Sequence, residues 1–238
     1  MGAPLLALLL AAAAASQSST VSLWSDSTTP GLTSANDNQS AELGVKFKSD
    51  VDGAVMGIRF YKGTGNTGTH VGNLWSASGT NLAAVTFTGE TASGWQHMNF
   101  ANPVPITAGT TYVASYLCPA GHYAADQGYF NAAYDIPPLH ALQDGAQGGN
   151  GVYHYSATSV FPDATFMASN YYVDVIFSPA AATPPTTTPT SSTSSSTKRS
   201  GSEMNPCGSG LAGAGGGTGI FSAASLALAL LAAGARRR

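Results

Sequence analysis

The chain has 238 residues and a formal net charge of −3, but the charge is unevenly distributed. Residues 21–179 hold eleven acidic and four basic side chains, a formal balance of −7, and the other five basic residues lie beyond residue 179. A negative surface repels phosphate backbones and anionic lipid headgroups. The composition therefore argues against nucleic acid or an anionic membrane surface as a partner of residues 21–179.

The two ends of the chain differ in composition from the middle. Residues 1–15 carry an apolar run that ends in three alanines, the pattern of a secretory signal peptide, with a disordered Ala-rich start as the alternative. Residues 180–210 are rich in Thr, Ser and Pro and poor in large apolar side chains, which predicts a disordered stalk. The remaining residues 21–179 are enough for one domain with a substantial core.

The C-terminal tail, residues 211–235, carries no charged side chain and is followed by three arginines at 236–238. As a helix it would be roughly 37 Å long, enough to cross a bilayer with the arginines on the cytoplasmic side. The alternative is a lipid-anchor signal, in which small residues at Gly208–Gly210 precede a Gly-rich spacer and an apolar end. This layout favours the lipid anchor, with Gly208 as the attachment candidate, although the arginines depart from the usual apolar end. Both interpretations place the domain on the extracellular face of the cell membrane, and a secreted form is the further alternative.

Apolar and polar residues alternate along residues 21–179, and no stretch has the period of a long amphipathic helix. About eight or nine short strands are predicted, in chain order at residues 21–24, 43–48, 55–61, 71–76, 82–88, 95–100, 111–118, 151–155 and 171–177. Residues 119–149 are expected to be long and irregular. The pattern predicts an all-β domain, an antiparallel β-sandwich of Ig-like or jelly-roll type.

The clearest strand signals lie in residues 44–72. Two alternating runs flank an Asp-Gly turn, which predicts a β-hairpin at the nucleus of the sandwich. The inward face of the second run is expected to consist of Met56, Ile58 and Phe60. The opposite face would bury the charge of Arg59. Asp174 is likewise expected to point outward from the last strand. The glycine-rich residues 63–68 lack the helix and the lysine of a phosphate-binding loop, which indicates a flexible connection.

Several ordered motifs run through residues 21–179. They begin with LGVKFKSDVDGAVMGIRFYKGTGNTGTHVGNLWSASGTNLA and FTGETASGWQHMNFANPVPITAGTTYVASY, and continue with GHYAADQGYF, PPLHAL, GGNGVYHY and NYYVDVIF. In these motifs the chain resembles the Domain of Unknown Function 4082 family. The resemblance implies a β-sandwich of secreted and surface proteins, often found beside fibronectin-type, Ig-like and polysaccharide-active modules. It implies no particular activity, because none is assigned to the family.

Motifs for chemistry are absent from the sequence: there is no hydrolase elbow, zinc spacing or P-loop, and the five histidines are scattered singly. No two acidic residues are paired in the way that glycoside cleavage requires. A non-catalytic module without a cofactor is therefore expected. Structural calcium is the alternative, because residues 34–38 and 49–53 place oxygen ligands in loops, although turn chemistry explains them and is favoured. Cys118 is expected to be a small buried residue that is not paired with Cys207.

The long loop at residues 122–130 combines aromatic rings with polar groups. Long loops on rigid scaffolds often carry function, and sugars need both ring faces for stacking and polar groups for their hydroxyls. The candidate ligand-binding residues are His122, Tyr123, Asp126, Gln127, Tyr129 and His140. Packing in the core is the competing interpretation for such aromatic residues. Asn38 begins an Asn-Gln-Ser sequon and is predicted to carry an N-linked glycan.

These features together predict an extracellular, non-catalytic module that binds glycan or a cell-surface or matrix component. A structural or adhesive spacer that acts through protein contacts is the second hypothesis. A carbohydrate-active enzyme is the third.

Overall fold

The computed structural model describes residues 19–181, which form an all-β domain of eleven strands with one 3₁₀ turn at Tyr129–Asn131. The strands are β1 (Ala41–Ser49), β2 (Gly53–Lys62), β3 (Val71–Ser76), β4 (Asn81–Thr86), β5 (Gly94–Ile106), β6 (Tyr112–Cys118), β7 (Tyr134–Ile136), β8 (Leu139–Ala141), β9 (Val152–Tyr155), β10 (Ala164–Thr165) and β11 (Val173–Pro179). Within residues 19–181, no helix has the length and apolar character needed to cross a membrane.

Several predicted segments lie outside the described residues and stay predictions. They are the signal peptide at 1–15, the stalk beyond residue 181, the tail at 211–235 with its attachment candidate Gly208, and the basic end at 236–238.

The strands form two antiparallel sheets. The larger sheet has the hydrogen-bonded order β10-β9-β1-β6-β3-β4, with β8 beside the C-terminal part of β1 and β7 beside β8. The smaller sheet has the order β11-β2-β5. Both sheets contribute side chains to one hydrophobic core, which includes Leu43, Val45, Phe47, Ile58, Phe60, Tyr116, Val173, Val175 and Phe177. This arrangement is consistent with a β-sandwich.

Strand β6 is buried along its whole length because β1 and β3 flank it and side chains cover both of its faces. Its outward-facing Val113 joins a second, smaller apolar cluster with Trp75, Val152 and Phe161. The last residue, Cys118, is completely buried, and desolvation raises the pKa of its thiol to about 12. Cys118 is therefore the small buried residue that the sequence predicted.

The predicted hairpin between β1 and β2 is wrong, because these strands lie in different sheets. Strand β1 pairs with β6, β8 and β9, whereas β2 pairs with β5 and β11. The turn between them is fixed from both sides: the Asp50 N–H donates to the Pro138 carbonyl at 2.8 Å, and Asp52 Oδ1 accepts the Ala108 N–H at 2.8 Å. Alternation identifies the apolar side of a strand but does not identify its neighbour.

The inward face of β2 begins at Val55 and not, as predicted, at Met56. The register with β5 shifts between Val55 and Gly57, so that the strand contains a β-bulge. Because a bulge inserts one residue, it displaces the alternation by one position. Val55 is fully buried in place of Met56, while Ile58 and Phe60 are buried as predicted.

Asp174 does not point to solvent as predicted; it is fully buried. Its carboxylate accepts the N–H groups of Leu23 at 2.8 Å and Trp24 at 3.0 Å, and Arg59 Nε lies 3.8 Å away. Desolvation raises the pKa of Asp174 to about 6, although the backbone hydrogen bonds and Arg59 act in the opposite direction. The predicted first strand is reduced to one bridge at Val21, and the side chain of Asp174 holds the residues that follow.

A second buried carboxylate, Glu42, lies in the larger sheet and is completely shielded from solvent. Its Oε1 accepts hydrogen bonds from the Ser115 hydroxyl at 2.5 Å and the Asn73 amide at 3.0 Å. Its Oε2 has no hydrogen-bond partner among residues 19–181. Desolvation raises the pKa of Glu42 to about 7, and the hydrogen bonds from Ser115 and Asn73 offset only part of this effect.

Glu42→Gln is expected to stabilise the domain at alkaline pH and to leave its stability nearly unchanged near pH 5. The folded-state pKa of about 7 lies above the ordinary value of 4.5, so folding free energy is lost as the pH rises between these two values and the loss is complete above them. A shift of this size corresponds to about 3 kcal/mol at most. Urea unfolding at about pH 5, 7 and 8.5 measures the difference.

The matched control for this measurement is Glu90→Gln. The Glu90 carboxylate pairs with Lys62 at 2.7 Å, so Glu90→Gln removes this ion pair and is expected to lower the stability of the domain at neutral pH. A destabilisation by Glu42→Gln of equal size at all three pH values would contradict the prediction.

Candidate functional site

Three loops enclose a cleft of about 450 Å³. They comprise residues 31–35, 123–127 and 166–171. The apolar part of the lining consists of Leu32, Ala35, Tyr123, Ala125, Phe166 and Tyr171. Two of the predicted polar residues, Asp126 and Gln127, complete it together with Ser169 and Gly31. The cleft is therefore mainly apolar, with a few polar groups, as is usual for a small-ligand site.

Backbone hydrogen bonds join the first two loops into a short ribbon. The Ala35 N–H donates to the Tyr123 carbonyl at 2.8 Å, and the Ala125 N–H donates to the Leu32 carbonyl at 2.9 Å. The third loop is joined to this ribbon by an exchange of backbone hydrogen bonds between Asp126 and Asn170, at 3.0 and 2.9 Å. The cleft is thus formed by backbone that is already paired.

The carboxylate of Asp126 holds the same three loops together. It accepts the N–H groups of Gly31 at 3.0 Å and Leu32 at 3.2 Å, and it accepts the hydroxyl of Tyr172. A Cβ at position 31 would lie 2.7 Å from Asp126 Oδ1, so glycine allows this close approach. Asp126 is therefore first a positioning residue for the cleft.

Unusual backbone conformations are concentrated around this cleft. Within residues 19–181, the non-glycine residues with positive φ are His122 at 57°, Met167 at 50°, Ala168 at 45° and Tyr172 at 53°. Each of them adjoins a lining residue in the sequence or belongs to the third loop. Left-handed backbone costs of order 1 kcal/mol or more for such residues and is found preferentially at ligand sites.

The structure brings three of the predicted binding residues together in the cleft: Tyr123, Asp126 and Gln127. The hydroxyl of Tyr123 donates to Asp37 Oδ2 at 2.9 Å, and desolvation together with this bond raises the pKa of Tyr123. Gln127 is exposed, and its amide has no hydrogen-bond partner within the described part of the chain. His122 adjoins the cleft without lining it, and its Nδ1 lies 3.0 Å from the Ala35 carbonyl oxygen.

Tyr129, another predicted binding residue, lies outside the cleft. Its hydroxyl accepts the Trp24 indole N–H at 2.8 Å, and its ring packs against the rings of Phe130, Tyr134 and Tyr172. These contacts make Tyr129 part of an aromatic cluster, which is the packing role weighed as the alternative.

His140 is also separate from the cleft. It lies on β8 opposite Lys48, near the C-terminal end of β1, whereas the cleft residue Tyr123 is bonded to Asp37, which precedes β1. Its Nδ1 is 2.7 Å from Asp135 Oδ1 and its Nε2 is 2.8 Å from Asp50 Oδ2. His140 therefore connects the turn after β1 to the β7–β8 hairpin.

Residues that the sequence did not single out complete the cleft. Phe166 is 51% exposed and Leu32 is 49% exposed, and the ring of Tyr171 lies 5.6 Å from the ring of Tyr123 in an edge-to-face arrangement. Phe166 and Met167 are adjacent large apolar residues just after β10, and this pair is the one signal that could have identified this loop.

The other loops that were considered as sites have structural roles. Asn66 of the glycine-rich loop is fully buried and hydrogen-bonds Tyr116 at 3.1 Å and His70 at 2.7 Å, so it anchors the loop to the interior, while Thr64, Thr67 and Gly68 stay exposed. Asp37 Oδ1 accepts the Gln39 N–H at 3.0 Å, as turn chemistry predicts. No group of three or more His, Cys, Asp or Glu side chains within residues 19–181 is arranged to hold a metal ion.

Replacement of His140 by Gln is expected to remove part of the pH dependence of stability. Burial lowers the pKa of His140, but the hydrogen bonds and charges of Asp50 and Asp135 outweigh this effect and raise it. The stabilisation is complete below the unfolded-state pKa and is lost as the pH rises through the folded-state pKa. Both carboxylates are more than half exposed, so about 1 kcal/mol or less is expected.

Urea unfolding of the wild type and His140→Gln at about pH 5.5 and 8.5 tests this prediction. The matched control is His97→Gln, since His97 is exposed. A stability difference between wild type and His140→Gln that is the same at both pH values would refute the proposed connection.

Comparison with known proteins gives a family and no activity. Residues 27–173 match the family described as Domain of unknown function (DUF4082). No curated protein matches the chain. The matched range is more than half of the chain, and it contains strands β1 to β10 and all three loops of the cleft. The chain belongs to the family Domain of unknown function (DUF4082).

Proposed function

We propose that residues 21–179 are an extracellular, non-catalytic β-sandwich module that binds glycan or another cell-surface or matrix component in the cleft. The single observation that carries this proposal is a mainly apolar cleft whose lining includes the exposed ring of Phe166 and the unpaired amide of Gln127. Aromatic faces attract the C–H faces of sugars, and an amide can both donate to and accept from hydroxyl groups.

The aromatic surface extends beyond the cleft. The ring of Tyr171 lies 6.4 Å from that of Tyr153, which in turn lies 5.5 Å from that of Tyr155. Tyr155 is exposed, and its hydroxyl donates to Asp37 Oδ2 at 2.8 Å, the same atom that Tyr123 contacts. Tyr171 is buried and Tyr153 is half-buried, so Tyr155 is the tyrosine of this row with an exposed ring, and it offers a second contact for an extended ligand.

The proposed display of this module depends on the ends of the chain. The signal peptide at 1–15 would direct export, the stalk at 180–210 would separate the module from the membrane, and the tail at 211–235 would hold it there as a span or a lipid-anchor signal. Asn38 is exposed in the loop before β1, where an N-linked glycan has room. Calcium in the loops at residues 34–38 and 49–53 stays a secondary proposal.

An adhesive spacer that acts through protein contacts is the second candidate. The observation in its favour is that Leu32, Phe166 and Met167 are all exposed, with Met167 the most exposed at 60%. Exposed apolar side chains close together are typical of protein interfaces. Binding that free sugars do not inhibit would favour this candidate over the glycan.

A carbohydrate-active enzyme is the least supported candidate. Glycoside cleavage uses two carboxyl groups on either side of the bond. Of the described residues that line the cleft, Asp126 is the one with a carboxyl group, and it already accepts hydrogen bonds from Gly31, Leu32 and Tyr172.

Phe166→Ala is expected to weaken glycan binding by the full-length protein about tenfold, because the loss of a stacking contact costs of order 1 kcal/mol. Leu32→Ala is expected to weaken it several-fold, because the ligand loses apolar contact area there. Both side chains are exposed, so the unfolding midpoint should not change. A glycan array identifies the ligand, and isothermal titration calorimetry on the best ligand measures the dissociation constants.

The matched control for these variants is Leu82→Ala on β4, since Leu82 is 39% exposed and does not line the cleft. It should bind as the wild type does. The cleft proposal fails if no glycan binds, or if binding is indifferent to Phe166→Ala and Leu32→Ala.

A further inference from the structure

We infer that the cleft selects neutral glycans that carry acetamido groups, an inference that rests on the proposed glycan binding. Three features of the cleft point to this class of ligand: the charges around it, its small apolar floor, and its unpaired amide.

The first feature is the lack of a cation for an acidic sugar. Three of the four Lys and Arg residues within residues 19–181 are paired elsewhere: Arg59 with Asp26 at 2.7 Å, Lys62 with Glu90 at 2.7 Å and Lys46 with the Gln147 carbonyl at 2.9 Å. The fourth, Lys48, lies on β1 opposite His140 and does not line the cleft. Of the residues that line the cleft, Asp126 is the one with a carboxylate, and none is Lys, Arg or His. A sulfate or carboxylate on the sugar would therefore face a like charge and no Lys or Arg in the cleft lining, which disfavours uronic, sialic and sulfated sugars.

The second feature is the pair of nearly buried alanines in the cleft lining, Ala35 and Ala125, whose side chains are called the floor of the cleft. Both residues are nearly buried, at 8% and 9% exposure. Their N–H groups are used in the pairing of the two loops, so they offer no donor to a ligand. A sugar hydroxyl placed there would lose its hydrogen bonds to water without replacement, whereas the methyl of an acetamido group would gain from burial.

The third feature is Gln127 at the edge of the cleft. Its amide is unpaired within the described residues, unlike the carboxylate of Asp126, which already accepts three hydrogen bonds. A primary amide has donors and an acceptor, and the acetamido group has the complementary N–H and carbonyl. The methyl floor and the Gln127 amide thus match the two ends of one substituent.

The test compares three oligosaccharides with the same β-1,4 linkage and length: oligomers of N-acetylglucosamine, of glucose and of glucosamine. Titration calorimetry with the full-length protein is expected to give at least tenfold tighter binding of the acetylated oligomer than of the other two, since one well-placed group is worth about tenfold or more. This result supports the inference.

The other outcomes separate the inference from the proposed function. Equal binding of the acetylated and the glucose oligomers overturns selection for acetamido groups and leaves glycan binding standing. Tighter binding of the glucosamine oligomer overturns it as well, because charge would then dominate. No binding of any of the three, with another glycan bound on the array, overturns only the inference; no binding of any glycan removes both.

Two variants assign the selection to the cleft. Gln127→Leu keeps the approximate size of an exposed side chain and removes its amide, and it is expected to reduce the preference for the acetylated oligomer several-fold. Ala125→Val fills the floor and is expected to have the same effect, with Ala84→Val on the exposed face of β4 as its control. Because Ala125 is nearly buried, its unfolding midpoint is measured in parallel, whereas Gln127→Leu tests the inference independently of folding. A preference that survives both substitutions overturns the inference.

Discussion

The carboxylate of Asp126 is the interaction on which the cleft depends. It accepts two backbone N–H groups from the loop at residues 31–35 and the hydroxyl of Tyr172, so it fixes three segments that are distant in sequence. Gly31 and Leu32 are both exposed, so water can replace the carboxylate at their N–H groups, and the specific contribution of Asp126 is the connection between the loops. The left-handed backbone at Met167, Ala168 and Tyr172 is strained, and it is maintained because these contacts hold the surrounding loops.

The strands were predictable from the sequence, but their partners were not. Leu43, Val45 and Phe47 alternate with polar residues, and they are buried because a strand places every second side chain on the same face. The same alternation exists whether β1 is followed by a neighbour in its own sheet or by a strand of the other sheet. The separation of β1 from β2 depends on contacts from distant residues, such as those of Pro138 and Ala108 with the turn, which local patterns do not contain.

Asp174 shows why simple rules for charges fail at particular positions. The expectation that a charge on a strand faces water assumes that no buried donor needs it. Here the N–H groups of Leu23 and Trp24 lie beside β11 and are satisfied by the carboxylate, with Arg59 close by.

The candidate site was predictable only in part. Tyr123, Asp126 and Gln127 share a cleft because they are close together in one loop, whereas the fold brings Phe166 and Leu32 to it from distant parts of the sequence.

The distribution of acidic groups connects the fold to the kind of ligand that the cleft can hold. Asp126 and Asp174 bind backbone N–H groups, and Asp37 binds two tyrosine hydroxyls, so these carboxylates organise loops rather than remain free for a ligand. Carboxylates that bind groups within the domain still contribute to its net negative charge, and this charge disfavours anionic partners. Apolar rings and a neutral amide are then the groups still available in the cleft for recognition. For this reason the proposed ligand is uncharged, and its affinity should depend little on ionic strength, since screening affects charged pairs far more than stacking or neutral hydrogen bonds.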